Sequence, residues 1–312
     1  MRAELIEDRG EAAAGPEFFR SREFMGAEGV SHTLRIHTDG AELLAPLVVR
    51  EVPGSKLRDA ISPYGYPGLA APAVPAVDPT DVDWSATGLV SIFIRHRLGA
   101  EPPLAGATPR GEVQIADPAQ PRKSRASDRQ QIRRNLRDGY QVRRIPGPRT
   151  SDPERAAFVE VYEQTMRRTG ATERYFFDAG YFERILAFED SWLLLALAPG
   201  GAAGAASIAT RSDGMLHYYL SGSADSHLRD SPMKNVVGAM VDFAAELGLP
   251  LNLGGGVEPG DRLEEFKRGF ANLTEPFYTS EIVCDEQAYA GLGAPAAGEF
   301  FPAYRAPGVN PA

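Results

Sequence analysis

The chain has 312 residues, of which 43% are hydrophobic, so it is long enough for two domains with buried cores. Its formal net charge of −9 argues against non-specific nucleic-acid binding by the whole surface but leaves room for a local basic patch. The single cysteine, Cys284, excludes an internal disulfide and a cysteine-based metal cluster. The charged first 15 residues do not resemble a signal peptide, and no apolar run approaches about 18 residues, so a cytoplasmic protein without a membrane span is expected.

The first part of the chain predicts several strands and few helices. Aromatic spacing predicts a helix over residues 16–29, and alternation predicts strands over 30–37 and 41–49, joined by a turn. Further strands are expected at 57–61, 89–95 and 111–116. Between them lie a turn-rich loop with Tyr64 and Tyr66 and a Pro- and Ala-rich stretch, 70–80, expected to be an irregular connector. This order favours a small mixed sheet.

A basic segment follows. Ten Lys and Arg residues against two acidic ones lie between positions 122 and 149, and residues 127–138 predict a helix with a thin apolar stripe of Ile132 and Leu136. Two interpretations are open: a solvated linking helix, or a contact for a phosphate-bearing partner. A domain boundary is expected near 146–151. The predicted domains are therefore 1–148 and 149–290, followed by an Ala/Pro/Gly-rich tail, 291–312.

The second part of the chain predicts helices and strands in alternation. Helices are expected from Asp152 and over 181–188, and strands over 192–198, 205–210, 215–221 and 275–283. Ser231-Pro232 predicts the start of a long amphipathic helix that ends at Gly248. A short strand, 251–253, then runs into three glycines, and Asp261 begins another helix. Such an order indicates an α/β fold with mixed sheets, in which ligands bind beyond the carboxyl ends of strands.

This order of elements resembles the acyltransferase fold of the GNAT superfamily. Such enzymes hold the diphosphate of acyl-CoA with backbone N–H groups in an R-x-x-G-x-G/A loop at a helix start. The corresponding residues here are Arg229-Asp-Ser-Pro-Met-Lys234. Pro232 replaces the first glycine and has no N–H to give, and Lys234 replaces the second small residue. The coenzyme A site is therefore expected to be disabled.

A narrower resemblance rests on Leu253-Gly-Gly-Gly256 and Phe266-Lys-Arg-Gly-Phe270, with Ser62-Pro-Tyr-Gly-Tyr-Pro-Gly68 early in the chain. From about Glu17 to Tyr289 the sequence resembles the FemABX-like branch of GNAT proteins, which pair two GNAT-like domains. Its best-known members transfer an amino acid from aminoacyl-tRNA to the amine of a peptidoglycan precursor, and relatives do so with peptide antibiotics. The resemblance implies two tandem GNAT-like domains and no cofactor, with aminoacyl-tRNA as co-substrate and a peptide or small-molecule amine as acceptor.

The resemblance also assigns roles to residues. Phe266 and Lys267 match the functional pair of the F-K-x-G-F motif, and a fixed lysine ammonium suits the oxyanion formed when an amine attacks an ester. Arg168 matches an acceptor-binding arginine, although an arginine at a helix end is also favoured by the helix dipole. Tyr64 and Tyr66 depart from the Arg-Gly-Pro stretch of the peptidoglycan enzymes, and are expected either to line an acceptor groove or to pack a turn.

Other candidates follow from the residues themselves. On the central strand, Tyr219 or His217 is expected to accept the proton of the attacking amine, or else to be an ordinary core residue. The glycines allow a ligand to approach the backbone closely; they are Gly254, Gly255 and Gly256. Contacts to tRNA phosphates are expected from the basic helix, through Arg129, Arg133, Arg134 and Arg137. No metal-ligand spacing and no Ser/His/Asp order stands out. Two alternative functions are open: an N-acyltransferase that uses acyl-CoA or a carrier thioester, and a non-catalytic binding protein on the same scaffold. The oligomeric state is left open.

Overall fold

The computed structural model describes residues 1–70, 76–256, 258, 260–292 and 300–306. The chain divides into two compact units, of which the first combines Met1–Arg110 with Pro276–Ala312 and the second is Gly111–Glu275. No helix of the described residues has the length and apolar character needed to cross a bilayer.

In the first unit a mixed sheet has the strand order β1-β2-β3-β4-β5-β12, with β4 and β5 parallel and the other neighbours antiparallel. The predicted hairpin between β2 and β3 is confirmed. A cluster of apolar side chains that includes Leu34, Leu43 and Ile92 forms the core. The elements are β1 (Arg2–Ile6), α1 (Arg22–Ala27), β2 (His32–His37), β3 (Glu42–Glu51), β4 (Arg58–Ile61), β5 (Ser91–Arg95), the part of β12 (Leu273–Val283) from residue 276 onward, and α7 (Glu286–Gly291).

The helix predicted over residues 16–29 is wrong in extent. A short 3-10 helix, Phe18–Arg20, precedes α1, and Ser21 between them has an extended backbone. The Ser21 hydroxyl accepts a hydrogen bond from the Phe24 N–H at 3.1 Å, so this serine caps α1 and interrupts the helix. The aromatic side chains are nevertheless buried, since Phe18 and Phe24 each pack edge to face with Phe19 and are tilted against each other.

In the second unit the strand order is β6-β11-β10-β9-β8-β7. Strands β10 and β11 are parallel to each other, whereas the other neighbours are antiparallel, and α5 is the crossover that parallel neighbours require. The core contains Leu216, Val236, Met240 and Leu251. The elements are the part of β6 (Thr108–Ala116) from residue 111 onward, α2 (Ala126–Arg137), β7 (Gln141–Pro146), α3 (Asp152–Thr169), α4 (Ala179–Ala187), β8 (Ser191–Leu197), β9 (Ala203–Ser212), β10 (Met215–Ser223), α5 (Met233–Leu247), β11 (Leu251–Gly254) and α6 (Arg262–Arg268).

Two details of the second unit correct the sequence analysis. Ser231 is not the N-cap of α5: it has a left-handed backbone, φ 47°, where the chain turns out of the 3-10 helix Asp225–Asp230, and Pro232 takes the cap position. Leu136 does not share an apolar stripe with Ile132, because its side chain is 53% exposed whereas Ile132 packs against the core.

The predicted domains, 1–148 and 149–290, remain a prediction. The compact units have other limits because α2 packs against α5 and β7 pairs with β8, all within the second unit. Of the predicted connector 70–80, residues 71–75 lie outside the described part of the chain, as do 293–299 and 307–312 of the predicted tail. Within the described part of the tail, Tyr304 is buried beside Val52, Val90 and Leu292.

Candidate active site

The candidate site lies in the second unit, at the carboxyl end of β11. There the chain passes from Gly254, with a left-handed φ of 76°, into Gly255 and Gly256. A Cβ atom at Gly254 would lie 3.1 Å from the Lys267 Nζ atom, and one at Gly255 would lie 2.8 Å from the Glu112 carbonyl oxygen. The glycines are therefore required by close packing around the lysine and against β6.

Lys267 is a buried cation at this strand end. Its side chain is 8% exposed, and Nζ donates a hydrogen bond of 2.6 Å to the Gly255 carbonyl oxygen. The same atom lies 5.8 Å from the centre of the Tyr218 ring. Burial lowers the pKa of Lys267 to about 8, and the negative charge of Asp261 acts in the opposite direction. At neutral pH most of the population therefore carries a poorly solvated ammonium group.

Helix α6 fixes the position of this lysine. Asp261 caps the helix, since its Oδ1 accepts a hydrogen bond of 2.7 Å from the Glu264 N–H. One residue before the lysine, the half-buried Phe266 packs against the core, with its ring 5.6 Å from that of Phe270. Phe266 thus helps to anchor α6 on the sheet, and its predicted role in shaping the substrate site remains a prediction.

The three neighbouring residues of β10 have different environments. A register irregularity lies between Tyr218 and Leu220, where β10 pairs with β9. Tyr218 packs against the core beside Lys267, whereas the Tyr219 hydroxyl lies 2.6 Å from that of Tyr181 on α4. Burial raises the pKa of Tyr218 to about 12, so its phenol remains neutral at physiological pH.

His217 is 2% exposed, and both ring nitrogens have partners: Nε2 lies 3.1 Å from the Ser212 carbonyl oxygen and Nδ1 lies 3.1 Å from Asn252 Nδ2. This pattern assigns the proton to Nε2. Burial lowers the pKa of His217 to about 4, so the ring is neutral at pH 7. Proton transfer through His217 or Tyr219 remains a prediction, and in this structure Nδ1 already accepts from the asparagine.

Arg168, at the end of α3, is tied to the end of β10. It forms an ion pair with Asp225 and hydrogen bonds to the Ser223 carbonyl oxygen at 3.3 Å and to Thr165 Oγ1 at 3.1 Å. Its side chain is 30% exposed, so part of the guanidinium remains accessible to solvent. Acceptor binding by Arg168 remains a prediction that requires a ligand to compete with Asp225.

The two tyrosines predicted to meet the acceptor belong to the first unit. Tyr64 is 36% exposed, and its backbone N–H donates to the Glu28 carboxylate at 2.9 Å. Tyr66 packs edge to face with Phe19 at 5.6 Å and with Phe277 at 6.5 Å. The ring of Tyr66 has a packing role, whereas the exposed ring of Tyr64 is the better candidate for ligand contact.

The four arginines predicted to meet tRNA are all exposed on α2. Two of them have local partners: Arg129 bonds to Ser124, and Arg134 lies 3.5 Å from Asp138. A surface depression of about 410 Å³ adjoins Arg129 and is also lined by Arg122, Ser124, Ile132 and Phe270. The helix therefore presents a positive outer face, and contact of that face with tRNA remains a prediction.

The inner face of α2 covers the start of α5, where a GNAT enzyme would hold the diphosphate of coenzyme A. Asn135 Nδ2 donates to the Asp230 carbonyl oxygen at 2.8 Å and to Asn235 Oδ1 at 2.7 Å. Gln131 Nε2 donates to the same carbonyl at 3.0 Å. Lys234 Nζ lies 2.8 Å from the carboxylate of the buried Asp128. The polar groups around Pro232 are therefore bonded to one another.

Sequence reasoning missed two polar residues near the end of β11. Asn252 orients His217, and Gln114 on β6 lies opposite Gly254 in the strand ladder. The available signal was a single polar residue within an otherwise apolar strand, as in Val113-Gln-Ile-Ala116. A buried strand position that is polar needs a partner, but the sequence does not reveal which neighbour supplies it.

Comparison with known proteins finds a family match for part of the chain and solved structures with the same fold. Residues 122–268 match the family described as acetyltransferase (GNAT) domain. Among solved structures, FemX has a TM-score of 0.62 at 13% identity, covering 92% of this chain and 99% of its own. L-PGS from Bacillus licheniformis has a TM-score of 0.59 at 12% identity, covering 90% and 93%.

A third solved structure has the same fold. The C-terminal domain of a putative lysylphosphatidylglycerol synthetase from Agrobacterium fabrum has a TM-score of 0.55 at 13% identity, covering 90% of this chain and 92% of its own. No curated protein matches the chain. The predicted α/β fold of two GNAT-like domains and the resemblance to the FemABX-like branch are confirmed. Residues 122–268 therefore match an acetyltransferase (GNAT) domain, and the chain shares the fold of FemX.

Proposed function

We propose that this protein is an aminoacyltransferase that moves an amino acid from aminoacyl-tRNA to an amine of a peptide or peptide-like acceptor. The observation that carries the proposal is the contrast within the second unit. A buried ammonium lies at the end of β11 and donates one hydrogen bond to the residues that the structure describes, whereas the start of α5 is closed by Pro232 and the side chains of α2. The first feature suits acyl transfer, and the second disfavours coenzyme A as the donor.

The proposed reaction forms one amide bond and breaks one ester bond. The acceptor nitrogen attacks the carbonyl carbon of the aminoacyl ester, and the carbonyl oxygen becomes an oxyanion. Collapse of this intermediate expels the ribose oxygen of the tRNA, which leaves as a hydroxyl with the proton that the amine gives up. Lys267 stabilises the oxyanion, because an ammonium that is already desolvated does not need to reorganise water as the charge develops. Tyr219 and His217 are the proposed routes for the proton.

Hydrogen bonding at the start of α5 disfavours coenzyme A. A diphosphate at a helix start needs backbone N–H donors and room beside them. Here Pro232 lacks an N–H, and the N–H groups of Lys234, Asn235 and Val236 donate to the carbonyl oxygens of Ser231 and Pro232. The Lys234 side chain is directed to Asp128 instead of to a ligand. An aminoacyl-tRNA that is bound through its polynucleotide does not need a diphosphate site at the start of α5.

The exposed arginines of α2 are the proposed contact for the tRNA, because arginine binds phosphate oxygens in a bidentate manner. L-PGS and FemX share the fold of this chain, which supports the same class of donor. For the acceptor we propose a peptidoglycan precursor or a peptide natural product. Arg168 in the second unit is its proposed anchor, and Tyr64 and Tyr66 in the first unit are separate proposed contacts. The reaction would take place in the cytoplasm, where aminoacyl-tRNA is made.

The test uses the purified full chain with a pool of aminoacyl-tRNAs and candidate peptide amines, and mass detection of a new amide. Ribonuclease treatment of the pool before mixing is expected to abolish the product, because it destroys the carrier. A parallel reaction with acetyl-CoA tests the alternative donor. Product from acetyl-CoA, or product from the aminoacyl-tRNA mixture that persists after ribonuclease treatment, would contradict the proposal.

A further inference from the structure

Gln114 is a buried polar side chain whose hydrogen-bonding groups are unused within the described part of the chain. It is 0% exposed, and among the described residues neither Nε2 nor Oε1 has a hydrogen-bond partner. A carboxamide offers two donors and an acceptor, and leaving such a group buried and unbonded disfavours folding. An apolar side chain of the same size would avoid this penalty, so the presence of glutamine needs another explanation.

The position of Gln114 supplies that explanation. In the antiparallel ladder between β6 and β11 it is the Cα partner of Gly254, next to a register irregularity. A Cβ atom on Gly254 would lie 3.1 Å from Lys267 Nζ, so the glutamine and the lysine flank the same glycine. Strand alternation puts Gln114 on the face of Ala116, a member of the core cluster against which Tyr218 packs.

Lys267 and Gln114 both have hydrogen-bonding groups without a partner among the described residues. The Lys267 ammonium has three N–H donors, and within the described part of the chain it donates one hydrogen bond, to Gly255. Gln114 has none. A substrate that enters between them meets an N–H donor from each residue and an acceptor from the glutamine. An aminoacyl group matches this set, since its carbonyl oxygen accepts and its amino group donates.

We propose that Gln114 binds the aminoacyl group of the donor, with Nε2 donating to the carbonyl oxygen beside Lys267 and Oε1 accepting from the amino group. This inference rests on the proposed function and extends it by assigning a residue that selects an aminoacyl over a plain acyl group. Because both amide atoms are closed to solvent in the free protein, the donor opens the site as it binds.

The test separates substrate binding from structural packing. Gln114→Met keeps the size of the side chain and removes both polar groups. If Gln114 binds the donor, kcat/KM for aminoacyl-tRNA falls about 10- to 100-fold, while Tm is equal to or higher than that of the native protein. Loss of activity together with a gain in stability is the result expected of a binding group that is unsatisfied without substrate. Transfer within twofold of the native rate overturns the assignment.

A matched control is Gln131→Met on α2. The Gln131 amide is bonded to Asn135 Oδ1 at 2.8 Å and to the Asp230 carbonyl oxygen at 3.0 Å. The same substitution there is expected to lower Tm and to leave kcat/KM within twofold. If Gln114→Met instead behaves like Gln131→Met, Gln114 is a structural residue and the inference is wrong.

The outcome for the proposed function can be distinguished from the outcome for Gln114. If the native protein transfers acyl groups from acetyl-CoA and not from aminoacyl-tRNA, the proposed donor is wrong. A tenfold loss in Gln114→Met with acetyl-CoA then still supports contact of Nε2 with the carbonyl oxygen, and overturns the selection of an aminoacyl group by Oε1. If neither donor is used, both proposals are overturned.

Discussion

Two polar clusters of the second unit, one at the start of α5 and the other at the carboxyl end of β11, treat their hydrogen-bonding groups in opposite ways. At the start of α5, Asn135, Gln131 and Lys234 bond to groups of the protein itself. At the end of β11, Lys267 donates one hydrogen bond, and Gln114 has no partner within the described residues. Both clusters are largely buried, so bulk water does not supply the hydrogen bonds that the protein leaves unmade.

This difference distinguishes a structural cluster from a binding site. Buried polar groups that satisfy one another stabilise the fold and have nothing left for a ligand. Buried groups with unused donors or acceptors destabilise the free protein, and a ligand can recover that energy. The place where GNAT enzymes hold a diphosphate belongs to the first kind here, and the lysine at the strand end belongs to the second.

The largest expected effect is on catalysis. Lys267→Met is expected to lower kcat for aminoacyl transfer by about 100- to 1,000-fold, because it removes the group that we propose stabilises the oxyanion. The protein is expected to remain folded, since an apolar side chain of similar length replaces a desolvated ammonium. Single-turnover kinetics with aminoacyl-tRNA measures the effect.

The matched control is Lys234→Met at the start of α5, which removes a lysine of the other cluster. There the expected change in kcat is less than threefold, whereas stability falls because Asp128 loses its partner. Equal losses of activity in the two variants would remove the distinction between the clusters.

The pH dependence of stability gives the next effect. The pKa of Lys267 is about 8 in the folded protein and near 10.5 when the side chain is solvated, so between these values the unfolded chain binds more protons. Stability therefore rises with pH across this window, by about 3 kcal/mol if the whole window is crossed. Urea unfolding of the native protein and of Lys267→Met at pH 7 and at pH 10 isolates this contribution as a difference. A difference that does not change with pH would mean that the ammonium is solvated.

The third effect tests the closed cluster. Asn135→Leu is expected to reduce the free energy of unfolding by about 2 kcal/mol, because Asn235 Oδ1 loses its donor and the Asp230 carbonyl oxygen loses one of two. Aminoacyl transfer at saturating substrate is expected to stay within twofold of the native rate. Chemical unfolding and transfer assays on the same preparation measure both. A large loss of transfer without loss of stability would make the α5 start a functional site.

The sequence points to one of these clusters and not to the other. Pro232 and Lys234 predict a disabled diphosphate site, because a missing N–H and an added side chain are properties of the residues themselves. The closing network was not predictable, since Asn135 and Asp230 are 95 positions apart and meet only through the packing of α2 on α5. Gln114 was overlooked for the same reason: its register opposite Gly254 depends on long-range strand pairing.

A smaller effect is expected from the outer face of α2. The double variant Arg133→Ser, Arg137→Ser is expected to raise KM for aminoacyl-tRNA several-fold. The slope of log KM against log salt concentration is expected to fall by about 1 to 2, one for each phosphate that the variant no longer binds. The matched control is Arg167→Ser on α3, an exposed arginine that is paired with Glu163. An unchanged salt slope in the double variant would mean that these arginines of α2 face solvent and do not contact tRNA phosphates.

No change in coenzyme A binding is expected when Pro232 is replaced, which makes this the smallest of the expected effects. Pro232→Gly restores a backbone N–H at the start of α5, which is the simplest change toward a GNAT diphosphate loop. Calorimetry with coenzyme A is nevertheless expected to detect no binding to either protein, because Asn135, Gln131 and the Lys234–Asp128 pair still occupy the polar groups of this region. If the glycine variant binds coenzyme A, the proline alone closes the site, and the side chains of α2 contribute to folding without excluding a ligand. If the native protein binds coenzyme A, the cluster at the start of α5 is a binding site, and the contrast with the cluster at the end of β11 is wrong.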